Sequence, residues 1–245
     1  MSGASGQLEA RLARHAWRVR AFQRSILPWF RREGRTFPWR DKSVSHYILA
    51  ISEILLQRTR AETVAAFFPL FAKRFPGWDQ LARATDEELQ AFLKPVGLWR
   101  RRADSLRALA REMRSRRGLF PVTRDEIEGL PGIGQYIASA LLLFCHGSRE
   151  PMLDVNMARV LERCFSPRKL ADIRYDPWLQ SLSRRVTNHE QTVEINWAIL
   201  DLASKICLPR RPTCNLCPLR TCCRYGKTSR MSLNPSLRRS HMASV

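Results

Sequence analysis

The residues Leu130-Pro-Gly-Ile-Gly-Gln-Tyr136, an apolar run over 137–145 and Met152-Leu-Asp-Val-Asn156 follow one another in a single stretch of the 245-residue chain. Just ahead of them, Thr123-Arg-Asp-Glu126 has the form of a capping box, which satisfies free amides at a helix start. The helix it opens runs through Ile127 to Leu130 and should stop at Pro131, which cannot continue the ladder. Gly132 and Gly134 can take positive φ and carry no Cβ, so backbone N–H groups can approach a ligand closely. A second helix begins near Gln135, its free amides and positive dipole end facing the same place. Such a hairpin grips a phosphate through the main chain and holds a nucleic-acid backbone without reading its sequence. An ordinary tight turn between helices would use the same Pro-Gly-Ile-Gly. The rest of the chain has to decide.

Composition favours the phosphate. The formal net charge is +20, and 36 of the 42 basic residues are arginines, some clustered as Arg100-Arg-Arg102. A diffuse solvated basic surface is the alternative, but an excess of this size points to a polyanion, nucleic acid first. The 44% apolar content is ample for a core. The apolar run over 137–145 is too short to span a bilayer, and residues 1–7 are small and polar with no signal core behind them. A soluble, intracellular chain is expected, with no membrane partner. The periodic stretches read as helices throughout, including a basic amphipathic one over 101–117, and hairpin turn signals are absent, so the fold class is all-α. Residues 229–245 are polar and aperiodic and read as a mobile tail, whose last residues resemble a vector remnant.

Of seven cysteines, five lie between Cys207 and Cys223. Cys207, Cys214, Cys217 and Cys223 have the spacing C-x6-C-x2-C-x5-C. Zinc ribbons present two separated ligand pairs, and only one C-x-x-C pair exists here. A 4Fe-4S cluster is therefore the first reading and zinc the second. Cys222 is adjacent to the fourth ligand and competes with Cys223 for that place. Arg210 and Arg211, in the loop between the first two cysteines, would present charge to a DNA backbone. Cys145 and Cys164 read as buried small apolar residues.

With the hairpin, the trailing acid and this cysteine spacing together, the chain resembles the endonuclease III family of DNA base-excision glycosylases over about residues 35–224. The resemblance implies two helical domains with a DNA-binding cleft between them: a six-helix barrel with the helix-hairpin-helix, and an iron-sulfur cluster domain. The boundaries read as 1–45, the N-terminal part of the cluster domain; 46–147, the barrel; 148–226, its C-terminal part with the cluster loop; and 227–245, a disordered tail. Arg-Thr-Phe-Pro-Trp-Arg at 35–40, Ser-Glu-Ile-Leu-Leu-Gln-Arg-Thr at 52–59 and Asp-Val-Asn at 154–156 look like adenine and thymine/uracil mismatch glycosylases. Gly97-Leu-Trp-Arg-Arg-Arg-Ala103 is closer to the mismatch type. Only about 20 residues follow the cysteines, too few for the extra C-terminal domain of the adenine enzymes.

The resemblance also implies roles. Asp154 would stabilise the charge that develops on the sugar as the N-glycosidic bond breaks, and orient or deprotonate a water. A helix N-cap is its other reading. Tyr136 stands where bifunctional members carry a nucleophilic lysine, so a monofunctional enzyme with no or weak lyase activity is expected; a packing residue is its alternative. Glu53 lies in an apolar helix, where burial raises its pKa and a protonated carboxyl can meet the base; a structural Glu is its alternative. Gln57, four residues on and on the same helical face, would fill the gap left by a flipped base. Leu98 would be a second wedge. Gly132, Gly134, Gln135 and Asn156 complete the expected DNA contacts. The expected partner is duplex DNA with a mismatched or damaged base, bound by a monomer associated with the nucleoid. Removal of thymine or uracil opposite guanine is the leading function. Adenine removal from A·G or A·8-oxoguanine pairs and a non-catalytic iron-sulfur DNA binder are the alternatives.

Overall fold

A computed structural model describes residues 2–41 and 43–232. Their helices run in the order α1 (Ser2–Ala13), α2 (Ala16–Glu33), α3 (His46–Leu56), α4 (Ala61–Arg74), α5 (Trp78–Arg83), α6 (Asp86–Leu93), α7 (Trp99–Ser115), α8 (Arg124–Glu128), α9 (Gln135–His146), α10 (Val155–Cys164), α11 (Pro177–Thr187), α12 (Thr192–Lys205) and α13 (Arg224–Ser232). Among the described residues there is no strand, and the fold is all-α. Nor is any helix there long and apolar enough to cross a membrane.

The chain forms two compact units, one of Thr36–Ser148 and one of the residues up to Arg35 with those from Arg149 onward. Residues 36–45, expected with the N-terminal part, belong to the Thr36–Ser148 unit because Phe37 and Trp39 are buried in its core and stack at 4.9 Å. The Thr36–Ser148 unit holds α3 to α9. In it Thr85 caps α6, its hydroxyl accepting from the Glu88 amide at 3.2 Å. Its centre is α3 packed on α9. Residues 49–55 of α3 and 137–143 of α9 are all buried, as expected of helices that are apolar nearly all round. Around them α7 turns Ala103, Leu106, Leu109, Ala110 and Met113 inward and its arginines outward, with one exception described below.

In the other unit α12 is central, burying Ile195, Ala198, Ile199 and Leu202 against α2 and α10. Asp201 on this helix is fully buried; its two oxygens accept from the Arg35 amide and Nε, both at 2.8 Å. The bidentate pair pins the end of the N-terminal segment to the helix. Of the stretch expected as tail, 227–232 continues α13, and 233–245, with the suspected vector remnant, lies outside the described residues.

Candidate active site and cysteine loop

The hairpin's helices start where the sequence places them, but α8 ends at Glu128 with Gly129 as its C-cap, short of the stop expected at Pro131. Thr123 caps α8, accepting from the Glu126 amide at 3.4 Å and donating to its carboxylate at 2.6 Å. The two glycines, however, do different work. Gly132 has φ +77, and a Cβ there would stand 2.8 Å from the Ser105 Cβ on α7. Gly134 is extended, with φ −112, and serves as N-cap of α9; a Cβ on it would meet open space. The expectation of positive φ thus holds for Gly132 alone. Gly132→Ala should cost about 2 kcal/mol, from a left-handed Cβ and a displaced α7 contact, read as a lowered Tm. Gly134→Ala should leave the Tm nearly unchanged.

Glu53 is 4% exposed in the middle of α3. Gln57 is exposed, but it is the first residue past the helix, with ψ 112. Gln57 keeps a helical φ of −56, so its Cβ still leaves the backbone on the i, i+4 side of Glu53, and only the chain beyond it turns away. Leu98 is 48% exposed and left-handed, φ 51, directly after Gly97 at φ 73. A left-handed leucine is an uncommon, strained conformation that the surroundings must enforce. Tyr136 and Gln135 are half-buried in the first turn of α9, Tyr136 packing on the core.

In the other unit Asp154 caps α10. Its Oδ1 accepts from the amides of Asn156 at 2.9 Å and Met157 at 2.7 Å, and its Oδ2 from the Asn156 side-chain amide at 2.6 Å. Burial pushes its pKa up, opposed by these hydrogen bonds and by Arg159. The cap and a catalytic carboxylate are thus compatible: capping fixes the carboxylate, and burial strengthens its field. Sequence reasoning missed what holds Asn156. Arg159 donates through Nη1 to the Asn156 Oδ1 at 3.1 Å, through Nε to the Cys207 carbonyl at 2.9 Å and through Nη2 to the Ala203 carbonyl at 3.0 Å. One hydrogen-bonded chain therefore joins Asp154 to the first cysteine.

Cys207, Cys214, Cys217 and Cys223 line one pocket, with Leu202 and Ile206 in its wall. Cys222 is buried in the core instead. Cys164 is also buried and borders the pocket, while Cys145 is half-buried in the other unit. Arg163 donates to the Cys207 sulfur at 3.3 Å and to the Leu208 and Pro209 carbonyls, both at 2.7 Å. Burial pushes the Cys217 thiol up to about 12, and the neighbouring Cys164 thiol holds Cys223 down to about 6. Among the described residues no three His, Cys, Asp or Glu side chains come together in a group that could hold a metal ion. Four thiols around one pocket, with a guanidinium on one sulfur, are the donor type that thiophilic metal centres use. Arg210 and Arg211 are exposed on the loop between the first two cysteines.

Known proteins resemble the chain in sequence and in fold. The chain is 35% identical to the thymine-DNA glycosylase of Aeropyrum pernix over 85% of its own length and 95% of the relative's. It is also 35% identical to a thymine/uracil-DNA glycosylase of Pyrobaculum aerophilum, over 86% and 94%. An adenine DNA glycosylase of Buchnera aphidicola is 32% identical, matched over 90% of this chain and 63% of that protein. A solved thermostable thymine-DNA glycosylase superposes with a TM-score of 0.79 at 28% identity, covering 86% of this chain and 97% of that one. A profile of the HhH-GPD superfamily base excision DNA repair proteins matches residues 51–175. The chain belongs to the HhH-GPD superfamily of base excision DNA repair proteins.

Proposed function

We propose that this DNA glycosylase is monofunctional and removes thymine or uracil mispaired with guanine. The observation that carries the target base is the 35% identity to a thymine and a thymine/uracil glycosylase, over 95% and 94% of their lengths. The excess positive charge and the hairpin, with Gly132, Gly134 and Gln135, hold the phosphates of duplex DNA. Asn156, Arg210 and Arg211 add contacts from the other unit. Gln57 fills the gap left by the extruded nucleotide, and Leu98 wedges beside the orphaned guanine. Glu53, buried in its apolar helix, hydrogen-bonds the extruded base.

As the bond from C1′ to the base breaks, the base leaves with the bonding electrons and takes up a proton. Asp154 faces the cationic sugar, and a water it orients adds to C1′, losing a proton. The product is a free base and an intact strand with an abasic site. Tyr136 offers no amine for a Schiff base, so the strand is not cut. Cys207, Cys214, Cys217 and Cys223 would hold a 4Fe-4S cluster, which when bound supplies a rigid crosslink between α12 and the loop ahead of α13. The enzyme acts as an intracellular monomer on nucleoid DNA.

Purified protein incubated with duplexes containing G·T, G·U, A·G or A·8-oxoguanine tests this reading. Alkali-dependent breakage of the G·T and G·U duplexes is the expected result. Breakage before alkali, with a borohydride-trapped adduct, would sink the monofunctional assignment, and release of adenine alone would transfer it to the adenine enzymes. Tyr136→Lys should create a borohydride-trapped adduct on a duplex that the parent processes without one. A visible absorption band from sulfur-to-iron charge transfer separates the cluster from zinc.

A further inference from the structure

Three consecutive arginines open α7, and one of them does not face water. Arg102 is 3% exposed. Its Nη1 donates to the carbonyls of Val96 at 2.8 Å and Gly97 at 2.6 Å. Its Nη2 donates to the carbonyls of Leu55 at 3.1 Å and Gln57 at 2.6 Å and to the Thr59 hydroxyl at 2.9 Å. One nitrogen thus serves the segment leading to Leu98, and the other serves the segment around Gln57. Thr59 adds a second tie, donating to the Val96 carbonyl at 3.0 Å.

None of these acceptors is a carboxylate. Burying a cation among neutral acceptors is costly, and an apolar side chain would satisfy the packing at this position. What an apolar residue cannot do is hold five oxygens from two segments with a planar fork. The backbone shows why they need holding. Among the described residues three non-glycine residues have positive φ, and two of them are Arg58 at 56° and Leu98 at 51°. Each follows directly on a carbonyl that Arg102 binds, those of Gln57 and Gly97. Strained conformations of this kind persist where other contacts over-determine them.

We propose that Arg102 is a positioning residue that locks the Gln57 and Leu98 segments into one rigid element, so that both side chains enter DNA together or not at all. This rests on the reading of Gln57 and Leu98 as the gap-filling and wedging residues.

The test is a double-substitution cycle on the full-length protein, with Gln57→Ala and Leu98→Ala alone and combined. The probe is a duplex carrying an abasic-site analogue opposite guanine with 2-aminopurine beside it, whose fluorescence rises on unstacking. In the parent background the two substitutions should be strongly non-additive, the combined loss of affinity falling short of the product of the single losses by about tenfold. In Arg102→Met the coupling should vanish, so that the losses multiply. Circular dichroism and melting establish that the variant is folded, and Arg102→Lys, with one nitrogen in place of two, takes its place if it is not. A folded Arg102 variant with a lowered Tm and unchanged coupling would overturn the proposal, as would independent effects in the parent. If neither single substitution changes fluorescence in the parent, the wedge reading itself falls and the proposal with it.

Discussion

Asp154→Asn should slow base release by about 10²–10⁴-fold while affinity for the uncleaved mismatch duplex persists. The substitution is informative because it separates the two roles of this residue. Asparagine caps helices as well as aspartate does, so its Oδ1 can still accept from the amides of Asn156 and Met157. The second oxygen becomes an NH2 facing the Asn156 NH2, which now donates to it at 2.6 Å. Turning the Asn156 amide removes that clash only by presenting its NH2 to Arg159, which binds its oxygen. A loss of about 1 kcal/mol in stability is therefore expected, far less than the loss in rate. Asp154→Ala should lose the cap as well and melt lower still. Single-turnover kinetics on a G·T duplex, with binding and melting measured on the same samples, check all three. A variant that melts several degrees lower yet releases base at the parental rate would leave Asp154 as a cap and nothing more.

The same carboxylate sets the pH dependence. Burial raises its pKa above the ordinary aspartate value of 3.8. Catalysis uses the ionised form, so the rate should fall with decreasing pH at a higher pH than an exposed aspartate would give. The stability contribution has the opposite sign. The neutral form favours the fold below the unfolded pKa, and that contribution is lost as pH rises through the raised folded pKa. Measured profiles of rate and Tm should therefore run in opposite directions across this range. An acid limb at or below the ordinary aspartate value would contradict the assignment.

Much of this site was legible in the sequence, and what escaped did so for definable reasons. Thr123 and Gly132 act through local backbone rules that spacing reveals, so the hairpin emerged with its helix starts in place. The helix carrying Glu53 was legible, but its end was not: apolar periodicity continues to Leu56, and nothing in Gln57-Arg-Thr-Arg60 marks a break as glycine or proline would. Arg102 was hidden inside a basic run. Its signal was phase: four, seven and eleven residues on lie Leu106, Leu109 and Met113, the buried stripe of α7. Arg159 follows Asn156 at i, i+3 on the same helix, a spacing the sequence shows, but its other partners, the Ala203 and Cys207 carbonyls, are brought to it by tertiary contacts that no local pattern marks.

That connection yields the second large effect. Arg159→Met should lower the rate of base release by about 10–100-fold, although Arg159 itself is given no DNA contact in this reading and acts through the Asn156 side chain it holds. The guanidinium fixes Asn156 by donating to its Oδ1, which leaves the Asn156 NH2 aimed at the Asp154 Oδ2. Without Arg159 the amide is free to turn, and Asp154 loses both a hydrogen bond and a nearby positive charge that stabilise its ionised form. The acid limb of the rate profile should consequently move to higher pH, which distinguishes positioning from plain loss of stability. Some stability will also be lost, because the Cys207 and Ala203 carbonyls give up their donors. Arg159→Lys replaces the fork by one ammonium, which cannot reach from one point the three acceptors that the guanidinium serves through three nitrogens, so it should restore part of the Tm and little of the rate. Arg163 supplies the control. It binds the same cysteine segment, at the Cys207 sulfur and the Leu208 carbonyl, but has no bond to Asn156 or Asp154 among the described residues. Arg163→Met should therefore disturb the cysteine loop and leave the acid limb where it is. An equal shift in both variants would mean that the loop as a whole, rather than the chain through Asn156, governs the carboxylate.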